Sequence, residues 1–248
     1  MDCAAAPPIP PITRKNSSDD LMALRMRVLQ CVLNKYVDRH IMPVDILIVK
    51  CYLPGMNEKP DSKEKTIIAA AKLLRRQGYS GTALSDILAA AGSPRGSLYF
   101  HFPNGKEEIA VAALTHAAHS VRQAIAGAAK TSKSADEFLI RIARGMAADL
   151  EHSDFKEGCP IAPTALETSG ASEALTAAAG AAFQSWEQEI AAGLQSFRFN
   201  AERARMLATA ALSQLEGALL LARTYQSLEP LQRAEAPIRA LVQAFAGT

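Results

Sequence analysis

Apolar residues recur at helical spacing over most of the chain, and from residue 62 onwards they read as helices separated by short breaks. The spacing predicts helices over 62–77, 82–91, 94–101, 105–129, 134–152, 160–168, 172–196, 200–226 and 229–245. The breaks carry their own signals: Gly78, Gly92, Pro103-Asn104-Gly105, Gly158-Cys159-Pro160, Gly170 and Pro230. In the first of these helices Ile67, Ala70, Ala71 and Leu74 stand at i, i+3, i+4 and i+7 and form one apolar face. Leu84, Ile87, Leu88 and Ala91 are the corresponding stripe of the second. The predicted fold class is all-α.

The first 55 residues differ in character. Residues 1–18 are Pro-rich and polar and read as disordered. Residues 19–39 could form a helix with Leu21, Leu24, Val28, Cys31 and Val32 as its stripe. Residues 44–53 are a short, mostly apolar stretch that ends at Pro54-Gly55, and Met56 follows. The chain therefore divides into an extension over 1–55, a first helical domain over 56–113 and a second over 114–248. Met56 is a candidate true start, which would make 1–55 a mis-assigned leader; the alternative is a genuine arm or extra helix.

The segment after Met56 carries local chemistry. Gly78 supplies a helix end. Thr82 is the expected N-cap of the second helix, Gly92 makes the turn, Ser93 is the expected cap of the third, and Pro94 takes its first position, where a missing N–H costs nothing. Two short helices joined by a tight glycine turn are the skeleton of a helix-turn-helix. In the third helix Leu98 and Phe102 face the core, which leaves Arg95, Gly96, Tyr99, Phe100 and His101 on other faces. Gly96 costs a helix interior roughly 1 kcal/mol against Ala, a cost that makes sense where another surface must approach the backbone. Asn104 with Glu107 three residues on resembles a capping box, and Lys106 in the first turn adds to the helix dipole as a phosphate site. Taken singly, Tyr99, Phe100 and Phe102 are ordinary core aromatics; the joint order of cap, turn, glycine and aromatic block argues otherwise.

Composition and charge change the picture little. Half the 248 residues are hydrophobic, a fifth are charged, and the net charge is +2. Within 58–108, eight basic residues against six acidic ones again leave +2, so charge alone identifies nothing. Cys3, Cys31, Cys51 and Cys159 show no CxxC spacing, which argues against a zinc knuckle and fits a reducing cytosol. No run approaches the apolar length of a membrane span, and no Gly-rich phosphate loop, metal motif or other cofactor signature appears.

Ile67-Ile68, Ala70-Ala71, Gly78-Tyr79, Thr82, Ile87, Ala91-Gly92-Ser93, Ser97-Leu98-Tyr99-Phe100-His101-Phe102 and Lys106-Glu107 together resemble the DNA-binding domain of the TetR family. The link Phe102-Pro103-Asn104-Gly105-Lys106, the Gly158-Cys159-Pro160 break and Gln214-Leu215-Glu216-Gly217-Ala218 followed by Leu219-Leu220-Leu221-Ala222-Arg223 are similar to its LmrA/YxaF-type branch. The resemblance implies an N-terminal three-helix helix-turn-helix domain and a C-terminal helical bundle for ligand binding and dimerisation. It implies a homodimeric repressor of double-stranded operator DNA, released by a small-molecule inducer in the cytoplasm. Carried over by position, Thr82, Ser93, Tyr99, His101 and Lys106 would hold phosphates, while Arg95 and Gly96 would face the major groove. Phe100 departs from the Tyr often found at its position, so a polar contact there is in doubt and apolar contact to a thymine methyl is left.

Residues 114–248 carry no comparable motif. Met206, Ala210, Leu215, Leu219, Ile238 and Leu241 are candidates for a four-helix dimer interface, and Phe155, Cys159, Phe183, Trp186, Glu216 and Tyr225 for an inducer pocket. Core packing is the simpler role for each apolar residue of that set; Glu216, flanked by Leu215, Gly217 and Ala218, is a charge that needs a partner. Cys159 before Pro160 could be a redox or electrophile sensor, a nucleophile in an enzyme, or a small packed residue. His116 and His119 share a helix face without a third ligand and read as solvated. The competing functions are an enzyme built on Cys159 and a helical scaffold without DNA activity.

Overall fold

The computed structural model describes residues 61–246 apart from Pro94, and the side chains of Arg95 and Ser97 lie outside that description. The expectations for 1–55, Met56 and Cys3, Cys31 and Cys51 likewise fall outside the described residues. Among the described residues every regular element is a helix.

The first three helices pack together as a small head. α1 (Ser62–Gln77) starts at Asp61, whose carboxylate accepts the backbone N–H of Glu64 at 2.7 Å, and ends at Gly78, φ +73°. α2 (Leu84–Ala91) ends at Gly92 in the left-handed conformation, φ +61°. α3 (Arg95–His101) follows immediately. Ala70 and Leu74 of α1, Ile87 and Leu88 of α2, and Leu98 and Phe102 of the α3 segment are buried together with Ile109. That single apolar centre fixes the angle of α3 against its neighbours.

α4 (Lys106–Thr131) belongs to both halves of the chain. Its first turns pack against α1, and its length then runs along α7 (Glu173–Ser196). The remaining helices are α5 (Ala135–His152), α6 (Ala162–Thr168), α8 (Ala201–Tyr225), α9 (Glu229–Arg233) and α10 (Glu235–Ala246). Phe138, Leu150, Trp186, Ile190, Leu207, Leu215 and Ile238 fill the bundle core.

Four local expectations are corrected. The N-cap of α2 is Ala83, not Thr82. The turn runs one residue further: the Thr82 N–H donates to the Tyr79 carbonyl at 3.2 Å, and Ala83 has the extended backbone of a cap. The Asn104–Glu107 capping box does not form: Gly105 is the cap of α4, and the reach-back comes from Glu108, whose carboxylate accepts the Asn104 N–H at 3.0 Å. The single helix expected over 229–245 is two, broken at Ala234. Pro237 explains the break, since it has no N–H to donate to Arg233 and its ring clashes with that carbonyl in a continuous helix. Finally, Leu215, Leu219 and Ile238 are buried within the chain and cannot face a partner.

Candidate nucleic-acid interface

The outer surface of α3 is aromatic. Leu98 and Phe102 are buried, whereas Tyr99 is 60 % and Phe100 84 % exposed. A folded chain gains about 1.5–3 kcal/mol by burying a large apolar side chain, so two adjacent exposed aromatics on a short helix are a surface kept for something else. Gly96 is exposed on the same helix, and His101 is half-buried with its ring edge-on to both Phe100 and Phe102.

The flanks of this surface are held from behind. Ser93 is half-buried, and its hydroxyl oxygen accepts from Ser62 at 3.3 Å and from Thr66 at 3.4 Å. The ammonium of Lys106 stands 4.1 Å from the centre of the Tyr79 ring at the start of α4, and that of Lys63 lies 5.8 Å from the Phe102 ring. Each cation is thus oriented by an aromatic face without being neutralised by it. Thr82 behaves differently: it is fully buried and its hydroxyl donates to the Gly78 carbonyl at 2.7 Å. Its side chain shapes the α1–α2 turn from inside. The structure therefore gathers Ser93, Gly96, Tyr99, Phe100, His101 and Lys106 around α3 and turns the Thr82 side chain inwards. The role expected of the Arg95 side chain lies outside the described atoms.

A second cluster ties this head to the bundle. Nε of Arg75 donates to the Gly158 carbonyl at 2.5 Å, and Arg76 pairs with Glu157 at 2.7 Å. From the far end of α8, Arg223 donates to the carbonyls of Arg76 at 2.9 Å and Lys156 at 3.0 Å. Glu167 of α6 accepts the Ser80 N–H at 2.6 Å, and Glu107 accepts the Ser172 hydroxyl. Sequence reasoning missed these residues as docking contacts, since charges at helix ends are common and their partners lie 65 to 147 residues away.

The pocket candidates do not converge on one cavity. Trp186 is buried, its indole N–H donates to the Ala118 carbonyl at 3.0 Å, and Phe183 packs edge-on against it. Phe155 lines an open cleft of about 590 Å³ with Leu220 and Arg223, whereas Tyr225, 63 % exposed, lines a separate groove of about 490 Å³ with Gly217 and Leu221. Tyr225 is thereby corrected from an interior lining residue to an outer one. Cys159 and Glu216 do meet. The thiol hydrogen-bonds the carboxyl, the charge of Arg75 acts on the same group, and one carboxyl oxygen of Glu216 is buried with no hydrogen-bond partner among the described residues. Burial pushes the Cys159 thiol far up, and the nearby Glu216 adds to the shift, so the sulfur is a poor nucleophile; it accepts the Ala162 N–H at 3.4 Å and helps to start α6. Burial also raises the Glu216 carboxyl above the ordinary glutamate range.

Known proteins share this arrangement. Residues 67–113 match the model of bacterial regulatory proteins of the tetR family, and residues 135–237 match that of the C-terminal domain of LmrA/YxaF-like transcriptional regulators. The uncharacterized HTH-type transcriptional regulator YxaF of Bacillus subtilis is 34 % identical over 176 residues, covering 71 % of this chain and 92 % of YxaF. The HTH-type transcriptional regulator LmrA of the same organism is 33 % identical over 171 residues, covering 69 % of this chain and 91 % of LmrA. Among solved structures, a TetR transcriptional regulator from Legionella pneumophila superposes with a TM-score of 0.66 at 22 % identity, over 75 % of this chain and 99 % of that one. A TetR regulator from Chloroflexus aurantiacus does so with a TM-score of 0.62 at 30 % identity, over 73 % of this chain and 94 % of the other. No helix among the described residues is long and apolar enough to cross a membrane. The chain thus belongs to the TetR family of bacterial transcriptional regulators, in its LmrA/YxaF-like branch.

Proposed function

We propose that the protein is a cytoplasmic, homodimeric repressor whose reading heads, residues 56–113, leave operator DNA when a small molecule binds the helical domain, residues 114–248. The observation that carries this reading is the α3 surface, where Tyr99 and Phe100 stand outwards beside a bare Gly96 while Leu98 and Phe102 hold the helix to the core. Tyr99, Ser93, His101 and Lys106 position the duplex through its phosphates, and Arg95, Gly96 and Phe100 meet base edges. Thr82 supports the turn from behind.

Dimerisation follows from the geometry of DNA, because two recognition helices must reach major grooves roughly 34–36 Å apart. The outward face of α8 supplies a surface for it: Met206, Leu220 and Leu221 are exposed at helical spacing. Release is a matter of differential affinity. A ligand that prefers a state with displaced heads takes the protein off DNA, and one that binds both states equally shifts nothing. α4 is the natural lever, since one helix starts in the head and ends in the bundle.

The test is a gel shift of the full chain against DNA upstream of its own and adjacent genes. The wild type should bind with a steep salt dependence. Tyr99→Ala should weaken binding about uniformly across all sequences, as loss of a phosphate contact, and Arg95→Ala should cost about 1–3 kcal/mol of discrimination at particular base pairs, as loss of a base contact. Equal binding to operator and random duplex across a genomic library would overturn the reading.

A further inference from the structure

We infer that Gly96 and Phe100 form an apolar notch by which each head recognises the 5-methyl group of a thymine. The inference rests on α3 being the recognition helix and specifies what that helix reads.

At 3.6 residues per turn, the buried Leu98 and Phe102 mark the direction of α3 that faces the core. Phe100 points the opposite way, and Gly96, one turn earlier, lies on the same outer line. Phe100 is the most exposed large hydrophobic side chain of the described residues, at 84 %, and among their ring pairs it meets only the edge of His101, 5.1 Å between centroids. Nothing among the described residues accounts for an outward phenyl group at this point.

Nothing among them accounts for the glycine either. A Cβ at Gly96 would meet no atom of the described residues within 4 Å, and Gly96 is not among the glycines with positive φ. Neither packing nor backbone conformation asks for glycine there, and the helix is weaker for it. The space left by the missing side chain, bounded on one side by the Phe100 ring, is therefore room for something that comes from outside. A phenyl group has no donor or acceptor with which to read the nitrogen and oxygen pattern of a base edge. In the major groove the apolar feature that distinguishes one base from the others is the thymine methyl.

The experiment uses the full chain and an operator obtained by in vitro selection from random duplex. Each thymine of the selected site is replaced in turn by deoxyuridine, which removes the methyl and leaves the pairing edge unchanged. The expected result is one thymine per half-site whose replacement weakens wild-type binding by about four-fold, the worth of one buried methyl-sized group. Phe100→Ala should bind the thymine operator more weakly and treat the two bases alike. Gly96→Ala should also lose the distinction while melting at the same temperature as wild type or higher, which separates a filled notch from a damaged fold. If the wild type selects a sequence yet is indifferent to deoxyuridine at every position, or if Phe100→Ala keeps the full penalty, the notch is wrong and the DNA reading stands. If no sequence is selected at all, both fall.

Discussion

The carboxylate of Glu167, on α6, accepts the backbone N–H of Ser80 at 2.6 Å and occupies the space that a side chain at Gly78 would need. One acidic residue of the bundle is thereby seated in the turn that joins the first two helices of the reading head.

Gly78 is accordingly held by two constraints. Its backbone (φ +73°, ψ −175°) lies where residues other than glycine are strained, and a Cβ there collides with Glu167. Gly78→Ala should lose about 1–3 kcal/mol in urea denaturation. Glu167→Ala should lose less, about 1 kcal/mol, as a single hydrogen bond at an exposed site. The double variant should recover the collision but not the backbone strain. A Gly78→Ala protein as stable as wild type would show that the turn adapts freely.

Glu216 sets a pH dependence. Burial lifts its carboxyl above the ordinary glutamate range, and the Cys159 thiol and the charge of Arg75 pull it back only in part. The folded chain then binds this proton more tightly than the unfolded chain. Stability contributed by the neutral form is fully present below the unfolded value and is lost as pH rises through the folded one. Glu216→Gln carries no such proton, so its stability relative to wild type should increase as pH rises through and above the ordinary glutamate range. A constant difference over that rise would mean that the carboxyl titrates normally.

Cys159 should resist alkylation. Its thiol is buried and pushed far up, so iodoacetamide at mildly alkaline pH should label the folded protein at this position at least about ten times more slowly than the urea-unfolded chain. Mass-spectrometric mapping of the peptide containing Cys159 is the readout. Rapid labelling of the native protein would reopen its role as an electrophile sensor.

The two sides of α8 should respond differently to charge. Leu220 and Leu221 are exposed, whereas Leu215 is buried in the bundle. In sedimentation, Leu220→Glu and Leu221→Glu should shift a dimer towards a folded monomer, while Leu215→Glu should unfold the chain. Dimers unaffected by both outer substitutions would place the interface elsewhere.

The periodic apolar faces made most helices legible, because Ala70 and Leu74, Ile109 and Ala113, Leu139 and Ala143, and Leu207, Ala211 and Leu215 recur at intervals of four, which a helix buries on one side. The aromatic block of α3 was legible for the same reason in reverse: once Leu98 and Phe102 were assigned inwards, Tyr99 and Phe100 had to face out. What failed was local bonding. Whether Thr82 or Ala83 caps α2, or whether Glu107 or Glu108 reaches back at α4, depends on one residue of turn, and the pattern of apolar positions does not fix it. The break at Ala234 did have a signal, Pro237, that a continuous apolar stripe obscured. The inner and outer sides of α8 were partly exchanged, because both are rich in Leu and Ala and only tertiary packing decides which is covered. The docking contacts of Arg75, Arg223 and Glu167 were not legible at all, since their partners are remote in sequence and several are backbone groups.

That last point bears on how such a protein can change over generations. Arg223 grips the head through the carbonyl of Arg76, and Arg75 grips the bundle through the carbonyl of Gly158. Every amino acid carries the same carbonyl, so these grips do not depend on which side chains surround them. The reading surface can be rewritten for a new operator while the joint that connects it to the rest of the molecule stays as it is.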